Sequence, residues 1–262
     1  MISLQTIKEH LSENLRNMDI FVYESVTSTN DLAKEYAKNN PQKKAAIIAL
    51  TQTEGRGRRG RSFFSPDGTG LYMSILLRPS YTPELSSLLT SAAAVATANA
   101  IENICDKAVS IKWINDIYLD RKKVCGILCE SAFSENTSIL DFVIVGIGIN
   151  IQDPKDDFPE EIKDIAASVF GKDSPSDDVY ELLSANIINT LYEYSLRLNE
   201  RKFLTEYKNR LFMLGEEITV ISPTETYNAI AIDIDNNAHL IVKTNDGAIK
   251  TISAGEISTR IT

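Results

Sequence analysis

Histidine is nearly missing from this sequence: His10 and His239 are the two in 262 residues, and neither stands in a motif with a serine, a cysteine or a carboxylate. Triad-type acyl transfer, which sets an imidazole beside its nucleophile, is therefore not expected. Cysteine is almost as scarce. Cys105, Cys125 and Cys129 form an odd set without a Cys-x-x-Cys pair, which fits reduced thiols and neither a disulfide framework nor a zinc site. No apolar run reaches the ~18 residues of a membrane span, and no basic-then-apolar leader is seen, so the expected location is cytoplasmic. Positive charge is in deficit, with 27 Lys and Arg against 36 Asp and Glu, a net charge of -9 and a pI near 4.9. A surface built throughout to hold a polyanion is thereby excluded, and any phosphate site must be local. Repeats and low-complexity tracts are absent as well.

What is present is the composition of a globular protein, 43% hydrophobic and 24% charged, enough for one sizeable core and a smaller second one. Residues 20–26 read as a strand, and Ser28-Thr29-Asn30 opens a helical pattern with Leu32, Ala33, Tyr36 and Ala37 on one face. Strands are expected at AAIIAL, ending at Leu50, and at GLYMSILLRP, ending before Pro79. Thr82 and Pro83 suit the N-cap and first turn of a long helix whose buried stripe runs from Leu85 and Leu88 to Ile101. The runs VSIKWINDIYL, KKVCGILCES and ILDFVIVGIGIN then predict an antiparallel meander in a central sheet. Residues 152–178, acidic and holding Pro154, Pro159 and Pro175, predict a surface loop, and two helical patterns follow to about residue 212. After Leu214-Gly215 everything is short and β-like. The expectation is an α+β catalytic domain over 1–213, with a mixed or antiparallel central sheet and flanking helices, and a small C-terminal β-barrel over 214–262.

The stretch with most chemistry in it is GRGRRGR at 55–61, four arginines and three glycines in an otherwise acidic chain. Glycines let backbone N–H groups approach an anion, and guanidinium forks grip carboxylate or phosphate, so the tract reads as an anion clamp. A solvated basic turn and a nucleic-acid patch are the competing readings. It is not a Walker loop, for it lacks the Gly-Lys-Ser/Thr ending. A second constellation is Lys112-Trp113-Ile114-Asn115-Asp116, followed by the strand that holds Lys123 and Gly126. Strict strand alternation puts Lys123 with Cys125, Ile127 and Cys129, opposite Val124, Gly126 and Leu128. Lys123 then either reaches into a pocket or snorkels at an edge, Gly126 either admits a ligand or marks a bulge, and Trp113 is either core or ligand contact. Ser28-Thr29-Asn30 is either a helix cap or a set of polar groups for a ligand. Gly146-Ile147-Gly148-Ile149-Asn150 is a weak nucleotide fingerprint, since no Rossmann helix follows.

Taken in order, Ser28-Thr29-Asn30, Gln52, GRGRRGR, FSP at 64–66, KWIND at 112–116, KKVCGIL at 122–128 and VGIGIN at 145–150 resemble the motif series of biotin protein ligases, and SAGEISTR at 253–260 resembles their closing segment. The resemblance implies that biotin and ATP form biotinyl-AMP and that a lysine of a biotin carboxyl carrier domain, part of a biotin-dependent carboxylase, then displaces AMP. It implies that Ser28, Thr29, Asn30 and Gln52 bind the biotin head group, with Gly55, Arg56, Gly57 and Arg58 closing over it and Gly126 beneath. Arg58 and Lys123 would meet the carboxylate and α-phosphate. Arg59, Lys112, Trp113, Asn115, Asp116 and Asn150 would belong to the ATP side, with Mg2+ carried by the nucleotide and no metal ligands assigned to the protein. Lys123, Arg58 and Asp116 are the residues expected to act in the chemistry. Two departures stand out: Ile114 replaces a usual Pro, and Asn236-Asn237-Ala238 replaces a glycine turn, which can survive because asparagine tolerates positive φ. The first 19 residues are too short for the winged-helix module of larger relatives, so DNA binding is not expected, nor is a membrane partner; monomer and homodimer are both open. A lipoate or octanoate ligase, which normally lacks the arginine tract, is the nearest rival, and an Arg/Gly-tract RNA-binding protein is the rival of another class.

Overall fold

The computed structural model describes residues 2–79, 81–134, 140–222 and 225–253, and the backbone of 256–259. A short helix, α1 (Leu4–Glu9), and a 3-10 turn at Glu13–Leu15 lead into β1 (Asp19–Val26). The crossover helix α2 (Thr29–Asn39) carries the chain to β2 (Ala45–Gln52), which lies parallel to β1. All other ladders of this sheet are antiparallel: β3 (Gly70–Leu77), β7 (Leu140–Asn150), β6 (Lys122–Phe133), β5 (Asp116–Leu119) and β4 (Ser110–Lys112) follow β2 in space. The seven-stranded sheet is thus mixed, as expected for an α+β chain.

β3 is buried along its whole length and β7 along nearly all of it, because both faces of the sheet's middle are covered, so these strands read as continuous apolar runs. On one face pack α4 (Leu89–Cys105), α5 (Val179–Leu196) and α6 (Phe203–Arg210), which form the larger core with the sheet. On the other face α2 sets Ala33 and Ala37 against Ile47, Leu76 and Ile144. The small side chains let this helix sit close to the sheet, and the sheet surface beside its N-terminus is left as a cavity.

Four expectations are corrected. The single long helix is two, α3 (Pro83–Ser86) and α4, although Thr82 caps the first through Leu85 N as expected. Ser86 and Ser87 turn their hydroxyls back to the carbonyls of Pro83 and Glu84, and such back-bonding competes with the helix ladder. The run VSIKWINDIYL is no continuous strand but the β4–β5 hairpin, turning at Trp113, Ile114 and Asn115, with a cis peptide between Trp113 and Ile114. Strict alternation fails in β6: Cys125 faces Ile117 while Lys123 faces Tyr118, so Val124 is an extra residue, a bulge. Val124 and Cys125 are both buried, and Lys123 is turned to the side of Gly126. Finally, positive φ in the Asn236-Asn237-Ala238 turn falls on Ala238, at 60°, and not on an asparagine; Asp235 Oδ1 accepts from the N–H groups of Asn237 and His239 and holds the turn.

The C-terminal part is a second, five-stranded antiparallel sheet of β8 (Glu217–Ile221), β9 (Thr226–Ile234), β10 (Leu240–Thr244), β11 (Ile249–Ile252) and β12 (Glu256–Thr259), in the order β11-β10-β9-β8-β12. Among the described residues no ladder joins the end strands β11 and β12. Gly215, at φ 89°, makes the entry turn that a side chain would strain. Residues 152–178 hold turns and no α-helix, as expected. No helix among the described residues is long and apolar enough to cross a membrane.

Candidate active site

A cavity of about 200 Å³ opens where α2 begins and is floored by the sheet. The floor exists because three side chains are missing from it. Gly126 and Gly148 face each other across β6 and β7, and Gly146 lies two residues back on the same face. A Cβ at Gly148 would come 2.8 Å from the Phe63 ring, and one at Gly146 would collide with the Asn30 amide.

One end of the cavity is polar and neutral. Ser28 takes the N-cap position of α2 but its side chain makes no capping bond; it lines the cavity with Thr29, Asn30 and Gln52. Ser28, Thr29 and Asn30 are all buried. Gln52 Oε1 accepts from Thr29 N at 2.9 Å, and Asn30 Nδ2 donates to Glu130 Oε2 at 2.6 Å. Beneath them the fully buried Ser74 hydroxyl lies 2.8 Å from Thr29 Oγ1 and 2.5 Å from Asn30 Oδ1. Burial pushes the Glu130 carboxyl up, but hydrogen bonds from Lys34 and Asn30 and the charges of Lys34 and Arg56 outweigh it and hold the group below the usual carboxylate range.

The other end is cationic. The arginine tract folds back on itself, Gly57 N donating to Arg61 O and Phe63 N to Gly55 O, and Arg56, Gly57, Arg58, Arg59 and Arg61 line the cavity. Arg56 pairs with Asp31 at 2.6 Å and Glu130 at 3.0 Å. Arg58 reaches across to the β4–β5 turn, donating to Asn115 Oδ1 at 3.2 Å, and Asn115 is itself fixed by donating to Ile127 O. Lys123 Nζ stands 2.8 Å from Asp116 Oδ1 and 5.8 Å from the centre of the Phe63 ring. Lys112 and Trp113 line the same end, and the Trp113 indole, 4% exposed, donates to Ala238 O at the edge of the C-terminal sheet. Trp113 is therefore core, cavity wall and a latch between the two sheets at once.

The cavity thus joins a neutral end rich in donors and acceptors to a cationic end through a glycine floor. Residues 22–150 match the biotin/lipoate A/B protein ligase family and residues 213–260 the biotin protein ligase C terminal domain. The bifunctional ligase/repressor BirA of Bacillus subtilis is 30% identical over 261 residues, covering 97% of this chain and 78% of that one. The chain belongs to the biotin/lipoate A/B protein ligase family. Among relatives of this ligase, the biotin–[acetyl-CoA-carboxylase] ligase of Paracoccus denitrificans is 31% identical over 219 residues, 81% of this chain and 89% of that one. The structure of the biotin protein ligase of Aquifex aeolicus in complex with biotin and ATP superposes with a TM-score of 0.71, at 31% identity, over 92% of this chain and 98% of that one.

Two of the residues that the sequence nominates do not line the ligase cavity. Gly55 lies under the loop base, where a Cβ would stand 2.5 Å from both Phe63 O and Ser65 Oγ, so a side chain there would pry the loop open. Asn150 donates to Ala167 O and so fastens the segment whose Ile165 O accepts from Lys123 N. Sequence reading misses Phe63, Ser74, Glu130 and the paired role of Gly146 and Gly148. The Gly-x-Gly spacing is the available signal: at period two on a strand it clears one face. Cys105, Cys125 and Cys129 do not line the cavity. Burial pushes Cys129 up to about 11 and raises Cys125 as well, so neither offers the ligase a thiolate at neutral pH.

Proposed function

We infer that this ligase activates biotin with ATP to biotinyl-AMP and transfers the biotinyl group to a lysine of a biotin carboxyl carrier domain. The observation that carries the reading is the convergence of Arg58, Lys123 and the β4–β5 turn on one end of a cavity whose other end holds Ser28, Thr29, Asn30 and Gln52. The neutral end suits the ureido ring of biotin, which offers two N–H groups and one carbonyl. Gly126, Gly146 and Gly148 leave room for the ring and valeryl chain, and Arg56 and Gly57 close the wall. At the cationic end the carboxylate oxygen attacks the α-phosphorus and pyrophosphate leaves. Two anions meet there, so fixed positive charge from Arg58 and Lys123 stabilises the developing charge, and no base is needed. Arg59, Lys112, Trp113, Asn115 and Asp116 take the nucleotide side.

Among the described residues no group of three or more His, Cys, Asp or Glu side chains could hold a metal. Mg2+ typically takes phosphate oxygens, waters and one or two carboxylates, so Asp116 suits an ion arriving with ATP, which when bound neutralises phosphate charge. In the second step the lysine amine of the carrier attacks the acyl carbon, AMP leaves and the amine gives up a proton, for which Asp116 is the acceptor we assign. The turn at Gly215 supports a division into a ligand-binding unit, 1–213, and a C-terminal unit, 214–262, and a cytoplasmic setting fits a carrier domain substrate.

The test is mass spectrometry of a purified carrier domain incubated with the protein, ATP and either biotin or lipoate. A biotinyl adduct on one lysine is expected, and a lipoyl adduct in its place would overturn the reading. In Asp116→Ala, transfer from preformed biotinyl-AMP should fall roughly a hundredfold, in the range of lost base catalysis, and by more than adenylate formation does. Equal losses in both steps, measured separately by single turnover, would leave Asp116 only as the partner of Lys123. Arg58→Gly removes the bond to Asn115 that closes the loop over the reacting end. Its adenylate should escape several-fold faster and label lysines of bystander proteins, which a filter-retention assay and a bystander blot would read.

A further inference from the structure

The cationic end of the cavity depends on the β4–β5 turn, and that turn is held from behind. Trp113, Asn115 and Asp116 line the cavity, while Ile114 among them packs against the larger core. The Ile114 carbonyl accepts from the hydroxyl of Tyr207 at 2.9 Å. Tyr207 is fully buried on α6 and does not line the cavity. Burial pushes its phenol well above the ordinary tyrosine range, with the Arg58 charge opposing the shift and the Asp116 charge adding to it. The hydroxyl is therefore a permanent donor, and it lies within the field of two residues of the reacting end.

α6 is itself clamped to the hairpin. One turn beyond Tyr207, Arg210 donates to the Glu102 carboxylate at 2.6 and 2.9 Å, to Asn99 Oδ1 at 2.6 Å and to Val109 O at 3.4 Å. Glu102 Oε1 also accepts from Val109 N at 3.1 Å, so one carboxylate ties α4, α6 and the residue that leads into β4. Phe212 N donates to Ile111 O, and Leu211 bridges to Ile111. The segment after α6 thus covers the edge strand β4, and α6 is held in the rotation that aims Tyr207 at the turn.

What Tyr207 holds is the peptide between Ile114 and Asn115. A peptide unit is planar, so fixing its oxygen fixes the plane from which Asn115 departs. On its far side Asn115 is anchored to β6, Nδ2 donating to Ile127 O at 2.8 Å and Ile127 N donating to Asn115 O at 3.0 Å. Held from both sides, Asn115 presents Oδ1 to Arg58 at 3.2 Å. We propose that Tyr207 is a positioning residue for adenylation: by holding Ile114 O it sets Asn115, and through Asn115 the guanidinium of Arg58. The proposal rests on the biotin ligase reading and deepens it by adding a residue outside the cavity to the machinery of the first step. Without the hydroxyl, the Ile114 carbonyl is left unpaired, which is strongly disfavoured in a buried setting. The peptide then turns toward another donor, and Asn115 turns with it.

The experiment compares wild type, Tyr207→Phe, Arg58→Gly and the double variant by single-turnover formation of biotinyl-AMP and by filter retention of the adenylate, with biotin titrations and unfolding midpoints alongside. Tyr207→Phe should form the adenylate roughly three- to tenfold more slowly and release it faster by a similar factor, the scale of one hydrogen bond, with biotin affinity unchanged because the head-group end lies elsewhere. Added to Arg58→Gly it should speed release no further, since groups in one hydrogen-bonded chain couple whereas independent ones add. Asn115→Ala, which cuts the chain at its middle and leaves the buried phenol intact, should release the adenylate at least as fast as Tyr207→Phe does. A tyrosine with only a structural role would lower the midpoint and leave rate and retention at wild-type values. That result, release factors that multiply in the double variant, or wild-type retention in Asn115→Ala would each overturn the proposal while leaving the ligase reading intact. Failure of wild type to form any adenylate from biotin and ATP would overturn the ligase reading itself.

Discussion

Replacement of Lys123 by Met is expected to abolish most adenylate formation while leaving the fold in place. Two unit charges about 4 Å apart interact by about 4 kcal/mol at the effective dielectric typical near a protein surface, ~20. A carboxylate brought against an α-phosphate meets repulsion of that order, and a cation held between them offsets it. Loss of that cation corresponds to roughly a thousandfold in rate. Two features hold Lys123 where this cation is needed. The bulge at Val124 turns it to the face of Gly126, and Asp116 fixes its ammonium at 2.8 Å. The methionine keeps the aliphatic stem, so the expected result is a large fall in kcat for adenylation with biotin affinity lowered much less. Lys123→Arg should restore part of the rate, since charge returns with a different reach. Single-turnover formation of biotinyl-AMP, read by quenched flow, checks this, and a rate within threefold of wild type for the methionine variant would remove Lys123 from the chemistry.

The second large effect is expected from one added methyl group. Gly146→Ala places a Cβ against the Asn30 amide, which is tied on its other sides to Glu130 and Ser74. The side chain must leave this position, and with it goes the polar end of the cavity. Overpacking of this kind costs about 1–3 kcal/mol of stability, which a chain with so large a core tolerates. Affinity for biotin should fall further, at least tenfold and by up to roughly a hundredfold for two lost hydrogen bonds, with KM for ATP changed little because the nucleotide end lies elsewhere. Parallel titrations with biotin and with ATP would separate the two. Unchanged biotin affinity would mean that Asn30 has no part in the site.

How much of this is legible in the sequence follows from how local each signal is. The arginine tract, Ser28-Thr29-Asn30 and the β4–β5 turn are contiguous motifs, and the structure brings them to one cavity. Ser74 and Glu130 stand alone on β3 and β6 with nothing beside them to mark them, and they gain meaning only when three strands and a helix are superposed. The face of Lys123 escapes sequence reading for a different reason. Alternation is a rule for unbroken strands, and the extra residue at Val124 leaves no trace in the apolar pattern because Val124 and Cys125 are both buried. The helix from Thr82 likewise reads as one because its apolar spacing continues through the break, while the serine hydroxyls that interrupt it act on the backbone. Asn150 carries a role by motif position, yet its side chain is spent on Ala167 O, a contact 17 residues away in the chain.

The central claim is that biotin, held by its head group at one end of the cavity, brings its carboxylate to the α-phosphate of ATP at the other. Exchange of labelled pyrophosphate into ATP measures that event without any carrier protein. Exchange that depends on biotin, is not supported by lipoate and is nearly lost in Lys123→Met is the expected result; exchange independent of biotin, or undiminished without Lys123, would contradict the account.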